Sequence, residues 1–347
     1  MKRIGYLYEK ICSLENIQLA IVNASKGKKK RETVRHVVDN LEFYANKLHE
    51  LLVNKTLRLG RNRVKTIWDT SSLKFREITV PRFFPDQVTQ WALIQVLRPL
   101  MERGMYRYCC GSVPKRGGQL ALDETVKAVR DKETRYVAKM DILKFFPSIK
   151  VDVLYGMFER RIKDKDCLWL IEQILDSAEN LPIGYYTSQW WSNFYLQGID
   201  HYIKENLRVK YYVRYVDDIV LVDKSKYLLH FAIGAINYEL GKIGLELKDN
   251  WQVWKKDSRP IDFVGYRIWS YKVEVRKRIE HGIERRTHKI AHRGNCTKKQ
   301  AQGLLSLLGY LTHCNGRRLY TDSVKPIISL RRLKYVSKGV TNGNTTC

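Results

Sequence analysis

Tyr215-Val216-Asp217-Asp218 places two adjacent carboxylates inside an otherwise apolar run, with Tyr211, Tyr212 and Val213 before them and Ile219, Val220, Leu221 and Val222 after. β-Branched and aromatic residues on both sides predict two strands, with the acidic pair at the turn between them. Neighbouring carboxylates repel, and one of them takes up a proton unless a cation neutralises the pair. A divalent ion is the simplest neutraliser, and hard oxygen ligands at a hairpin tip suit Mg²⁺. Taken alone, the same dipeptide also reads as a polar β-turn, which Asp favours through its own backbone hydrogen bonds. The rest of the chain has to decide between the two.

Charge is the next constraint. Lys and Arg number 63 against 36 Asp and Glu in 347 residues, a formal charge of +27. A field of that sign and size attracts polyanions, nucleic acid first and an anionic membrane surface second. No stretch approaches the roughly 20 continuous apolar residues of a spanning helix. The N-terminal pattern, with Glu9, Lys10 and Glu15, does not read as a signal peptide, so a cytoplasmic protein with no membrane partner is expected. The seven cysteines are odd in number and scattered, which predicts reduced thiols rather than a disulfide framework or a zinc site.

Apolar residues at three- and four-residue spacing predict helix through most of residues 6–60, an N-terminal helical extension over 1–60, with a basic loop at 25–31. Around Lys74 to Pro81 basic and apolar residues alternate, which predicts a strand with one packed face and one face presenting Lys74 and Arg76. Arg suits bidentate phosphate contact. A helix is expected from Pro85 to Met101, and the glycine-bearing loop 113–119, with Arg116, leads into another from Leu120 to Arg130. Backbone amides at such a loop hold phosphate in some proteins and form a plain surface turn in others. Tyr136 to Ile142 reads as a strand carrying Asp141 near its end, followed by Phe145, Phe146 and Pro147. Helix returns over 151–178, and a proline and glycine loop at 181–189 opens a helix whose Trp190, Trp191, Phe194 and Tyr195 read as core. Beyond the Asp217-Asp218 hairpin come a helix over 226–243, short strands to Ile268, and a strongly basic helical region to Lys338. The last residues, 339–347, have the Gly, Thr and Asn composition of a disordered tail.

If the Asp141 strand and the Asp217-Asp218 hairpin are neighbours in one sheet, three carboxylates converge on one edge and can bind two Mg²⁺ ions. That is the two-metal arrangement for in-line phosphoryl transfer. A polyanionic substrate would then account for the positive charge.

In order and spacing these motifs resemble a reverse transcriptase from about Val64 to Ile268. The Asp141 strand with Phe145 and Phe146 resembles the first catalytic motif, Tyr215-Val216-Asp217-Asp218 the second, and Phe263-Val264-Gly265-Tyr266 the primer-gripping hairpin. Lys74-Phe75-Arg76 is similar to the fingers strand that holds the incoming triphosphate. Most members carry Q-G-x-x-x-S-P before the aromatic helix, whereas this chain has Ile183-Gly184-Tyr185-Tyr186-Thr187-Ser188-Gln189, and in that departure it resembles the diversity-generating retroelement branch.

The resemblance implies an α+β right-hand polymerase: fingers over 61–135, a palm with an antiparallel sheet plus helices over 136–270, and a helical thumb over 271–338. It implies RNA-directed synthesis of cDNA from dNTPs with errors opposite adenine, a template RNA and a primer, and a small basic accessory variability protein that forms a ring. Asp141, Asp217 and Asp218 are implied as metal ligands with the Ile142 carbonyl, and Phe146 as the aromatic that excludes a ribose 2′-hydroxyl. Lys74, Arg76, Arg116, Ile183, Gly184, Ser188 and Gln189 fall to the nucleotide site, and Tyr215, Phe263, Val264, Gly265 and Tyr266 to primer and template. Ile183 stands where a glutamine normally steadies the nucleotide, and loss of that polar contact loosens control over the nascent pair. Gly184 lets the backbone come close to the nucleotide. The lysine expected after the post-catalytic helix is not clearly placed, with Lys248 near it and Trp251 a competitor for the position. The alternatives are a retron or group II intron-like enzyme and a catalytically silent nucleic-acid-binding palm. An RNA polymerase is disfavoured by the bulk of Phe146.

Overall fold

The computed structural model describes residues 3–60, 62–69 and 74–339, with the side chains of Asp69 and Lys74 outside that description. The expected tail therefore lies, from residue 340 on, outside the described residues. In chain order the elements begin with helices α1 (Tyr8–Cys12), α2 (Leu14–Ser25), α3 (Glu32–Asp39) and α4 (Leu41–Val53), then strands β1 (Arg63–Asp69) and β2 (Lys74–Val80). Helix α5 (Val88–Glu102), β3 (Cys109–Cys110), α6 (Gly118–Arg130) and β4 (Tyr136–Asp141) follow. Next come α7 (Phe145–Ser148), α8 (Val151–Glu159), α9 (Lys165–Leu175), α10 (Tyr186–Tyr195) and α11 (Gln197–His201). The hairpin β5 (Tyr211–Tyr215) and β6 (Asp218–Asp223) leads to α12 (Lys226–Gly241), β7 (Gln252–Lys255), β8 (Ile261–Phe263), β9 (Tyr266–Ile268) and β10 (Val273–Val275). The chain closes with α13 (Lys277–Arg293), α14 (Lys298–Leu311), α15 (Arg317–Leu319) and α16 (Leu330–Lys338). The fold is of the expected α+β class.

Two compact units form, each from discontinuous segments: Met1–Val113 with Asp141–Arg208 and Ala232–Asp249, and Pro114–Met140 with Val209–Phe231 and Asn250–Cys347. In the first unit α2 packs on α5. The buried Ile17, Ala20 and Ile21 recur at the spacing of one helix face, as do Val88, Ala92 and Leu93 opposite them. The aromatic helix α10 is core as expected, with Trp190, Trp191, Phe194 and Tyr195 all buried. Phe158 of α8 stacks on Phe194 at 4.7 Å and meets Trp191 edge-on at 5.7 Å. Asp164 caps α9 by accepting from Cys167 N, and also accepts from Leu7 N at 2.6 Å and Tyr8 N at 2.9 Å. One carboxylate thus ties the first helix to the ninth.

The hairpin of β1 and β2 departs from expectation. Its register pairs Trp68 with Phe75, Ile67 with Arg76 and Val64 with Thr79. Opposed residues share a face, so Arg63, Lys65 and Arg76 lie on one side and the Trp68–Phe75 pair on the other. Trp68 is 49% and Phe75 71% exposed, and Arg63, Lys65 and Arg76 on the other side are exposed too. A two-stranded ribbon has only one neighbour strand per residue, and alternation alone cannot say whether another layer covers it.

In the second unit the strands run in the order β5-β6-β4-β7, and β8, β9 and β10 form a separate antiparallel ribbon. β5 pairs antiparallel with β6, and β4 with β7. Helix α13 buries Ile279, Ile283, Thr287 and Ile290 along one stripe and turns its cations away from it. Thr297 and Gln300 close a capping box at the start of α14.

Candidate active site

Tyr215 pairs with Asp218, so the hairpin turns through two residues only, Val216 and Asp217. Asp218 is therefore the first residue of β6, and the turn carries one acid rather than two. Val216 sits at φ +59°, where a β-branched side chain crowds the backbone. Behind the turn Arg214 is fully buried, and its Nη1 donates to the Val216 carbonyl at 2.9 Å.

β6 and β4 are neighbours in one sheet. Arg135 N, just before β4, donates to Asp223 O at the end of β6, so the two strands run antiparallel. Lys139, near the end of β4, reaches Asp218 Oδ2 at 3.4 Å and donates to the Asp262 carbonyl at 2.6 Å. β4 itself ends on Asp141. In the first unit, Lys248 N donates to the Asp141 carbonyl at 2.9 Å, and its ammonium stands 3.8 Å from Asp141 Oδ2. Lys248 thus lies against the first acid, while Trp251 packs edge-on to His230 at 5.8 Å. Ile142 is buried and bridges to Leu247, and Phe146 is half-buried against Phe145 at 5.4 Å.

Among the described residues no three His, Cys, Asp or Glu side chains are gathered closely enough to hold a metal ion. The donor chemistry still fits a hard divalent cation. Asp141 and Asp218 are 30% and 21% exposed, offer carboxylate oxygens, and are each compensated by a flexible lysine that a stronger cation can displace.

The nucleotide-site residues divide. Arg76 lies exposed on β2, and the Lys74 side chain lies outside the described residues. Arg116 precedes α6, which starts at Gly118, two residues before the expected helix start. The loop expected over 181–189 is shorter, because α10 begins at Tyr186. Ser188 is consequently buried in that helix and not in an open loop, whereas Gln189 is exposed. Two contacts set this start: Gln90 Oε1 accepts from Tyr186 N at 2.8 Å, and Trp91 stacks on the Tyr186 ring at 3.8 Å.

Gly184 has a structural reason that the sequence did not announce. It sits at φ +119°, and a Cβ there would stand 2.1 Å from the Thr79 carbonyl oxygen. Thr79 N also donates to Ile183 O at 2.8 Å. The close approach is thus to β2.

The expected primer hairpin is a second two-residue turn, Val264 and Gly265 at φ +42° and +95°. Phe263 and Tyr266 are buried, and Val264 and Gly265 between them form the tip of the turn. Tyr266 OH donates to Tyr310 O at 3.2 Å, and burial pushes its phenol up to about 12, so it stays a donor. Gly265 packs so tightly on Tyr310 that a Cβ would stand 2.7 Å from the ring. Near the end of α13, Arg285, Arg286, Lys289, Arg293 and Lys299 line a cavity of about 590 Å³.

Sequence reasoning passed over Lys139, Arg214, Thr79 and Tyr310. A signal existed for the first two, each a lone cation within an apolar strand. For Thr79 and Tyr310 there was none, since each matters through a glycine distant in sequence.

Known proteins share parts of this chain. The profile of the family described as "Reverse transcriptase (RNA-dependent DNA polymerase)" matches residues 71–268. The Retron Ec73 reverse transcriptase of Escherichia coli is 29% identical over 139 residues, covering 36% of this chain and 44% of that protein. The match thus spans less than half the length of that relative. Among solved structures, telomerase from Candida tropicalis with a fragment of telomeric RNA aligns over 76% of this chain and 56% of its own at 13% identity and a TM-score of 0.47. Telomerase from Candida albicans with the same kind of fragment aligns over 82% and 60% at 13% identity and a TM-score of 0.46.

Proposed function

The chain belongs to the reverse transcriptase family, and we propose that it is an RNA-directed DNA polymerase, extending a primer with dNTPs along a template RNA. The observation that carries this is the hairpin turn: Asp217 at its tip and Asp218 at the start of β6, beside the strand that ends on Asp141. In this reading residues 61–135 act as fingers, 136–270 as palm and 271–338 as thumb.

Asp141, Asp217 and Asp218, with the Ile142 carbonyl, would hold two Mg²⁺ ions. Bound there, the ions would lower the cost of charge on the attacking and leaving oxygens. The protein's own groups do the rest. Lys139 and Lys248 keep the carboxylates compensated until the ions arrive. Arg76, Lys74 and Arg116 bind the triphosphate, Phe146 closes the space a 2′-hydroxyl needs, and the Val264–Gly265 tip meets the primer. Tyr215, at the turn, flanks the primer terminus. The basic cavity of α13 and α14 tracks phosphates.

Within the family, Ile183 in place of a glutamine supports the error-prone, diversity-generating kind, with its ring-forming accessory protein. A retron-like enzyme is the second reading, favoured by the match to the Ec73 enzyme. Primer extension on a homopolymer RNA template with a DNA primer, Mg²⁺ and dNTPs tests the activity. Incorporation is expected, and its absence even with cognate RNA and accessory protein refutes the proposal. The error spectrum of Ile183→Gln separates the kinds: fewer errors opposite adenine are expected, and an unchanged spectrum removes the argument from that loop.

A further inference from the structure

Two-residue hairpin turns that need a positive φ normally place Gly, Asn or Asp there. Here the residue is Val216 at φ +59°, and its side chain crowds the backbone in that conformation. The turn is therefore poised to relax, and something has to hold it. Arg214 lies two residues earlier on β5, fully buried, and its Nη1 donates to the Val216 carbonyl at 2.9 Å. A guanidinium is expensive to desolvate, and an apolar side chain would fill a buried strand position at lower cost. Its neighbours Tyr212, Val213, Ile219 and Val220 are all buried as well.

We propose that Arg214 is a positioning residue, a buried staple that holds the Val216 carbonyl and so keeps the turn in the left-handed geometry from which Asp217 and Asp218 leave the backbone. The proposal rests on the reading of those acids as metal ligands, and goes beyond it by assigning what fixes their direction. In this role Arg214 acts through the turn and not on substrate or ion. A core-filling role is the competing account, and the two differ in what Val216 should do. If the staple works against backbone strain, a residue that adopts positive φ freely makes the staple dispensable. If Arg214 only fills space, Val216 is irrelevant to its loss.

The test is a cycle of Arg214→Met, Val216→Gly and the double variant in the full chain. Mn²⁺ binding is followed by electron paramagnetic resonance, and kcat and KM for dNTP are measured on an RNA template with a DNA primer. Arg214→Met is expected to weaken Mn²⁺ binding roughly tenfold or more, the scale of losing one hydrogen bond from a charged group. It should lower kcat by a similar factor with KM for dNTP unchanged within about twofold. Val216→Gly in that background should restore most of both. Loss without restoration, or Mn²⁺ binding by Arg214→Met equal to wild type, overturns the staple. If Arg214→Met fails to fold, Arg214→Lys, which keeps a cation but not the fork, takes its place in the cycle. An Asp217→Ala variant that still binds Mn²⁺ and extends primers overturns the metal-ligand reading underneath. Loss of both in Asp217→Ala beside a normal Arg214→Met overturns the staple alone.

Discussion

Replacing Gly184 by Ala adds one methyl group, and the structure says where it goes. The new Cβ would lie 2.1 Å from the Thr79 carbonyl oxygen and 2.9 Å from Ile78 Cγ2, at a backbone φ of +119°. The nearer of these atoms is main chain, so no side chain can rotate out of the way. The two segments must separate by roughly 1 Å to reach an ordinary van der Waals distance. That separation breaks the 2.8 Å bond from Thr79 N to Ile183 O, at about 1 kcal/mol. Holding Ala at this φ adds about 1–3 kcal/mol. Together the loss is about 3 kcal/mol, on the order of 10²-fold in the unfolding equilibrium. Urea unfolding followed by tryptophan fluorescence measures it, with Trp91, Trp190 and Trp191 all in the same compact unit. Gly234→Ala is the control: it lies exposed in α12 with nothing within 4 Å of an added Cβ, and should stabilise by about 0.5–1 kcal/mol. A Gly184→Ala protein within about 0.5 kcal/mol of wild type would refute the packing argument, since that is the range of an ordinary surface change.

Other expectations follow from the same geometry. Changing Arg285, Lys289 and Arg293 to Ala should weaken RNA binding and flatten the plot of log Kd against log salt by about 0.7–0.9 for each phosphate no longer neutralised; an unchanged slope in anisotropy titrations counts against the basic cavity. Burial opposes ionisation of Asp164, but hydrogen bonds from Tyr8, Cys167 and Leu7 amides hold its carboxyl below the usual carboxylate range. Because the folded value is depressed, its stabilisation is full above the unfolded value near 3.9 and fades as pH falls through the folded one. The stability gap between wild type and Asp164→Asn should therefore be constant from neutral pH down to about 5 and shrink below about 4; a gap as wide in acid as at neutrality contradicts it. Phe146→Ala should raise ribonucleotide use relative to deoxyribonucleotide by roughly 10–200-fold, the usual worth of one steric contact; an unchanged ratio of kcat/KM values removes Phe146 from sugar selection.

The sequence made legible what repeats or stands out locally. Helical spacing located α2, α4 and α10, and an acid in an apolar strand located Asp141 and the Asp217-Asp218 hairpin. Legibility failed where a residue's role depends on a distant partner. Trp68 and Phe75 are exposed, and alternation does not encode whether a further layer covers a strand face. The early start of α10 is set by Gln90 and Trp91, more than 90 residues before Tyr186, and that start buries Ser188. Phe263 and Tyr266 enter through the resemblance to a primer-gripping hairpin, and the motif does not encode that both are buried in the three-stranded ribbon of β8, β9 and β10. Lys139 and Arg214 could have been seen as cations in apolar strands, but only the register reveals that one reaches Asp218 and the other the Val216 carbonyl.

Everything proposed for function depends on the carboxylates at the β5–β6 turn carrying template-directed DNA synthesis. Single-turnover extension of a DNA primer on an RNA template, compared between wild type and Asp217→Asn at equal folded protein and equal primer-template occupancy, isolates that role. The change keeps the side chain's shape and removes its charge, so binding should persist while the extension rate falls by about 10²–10³-fold, the scale of losing a charge-stabilising group at a reacting centre. Extension by Asp217→Asn at the wild-type rate would mean that these carboxylates do not carry the chemistry.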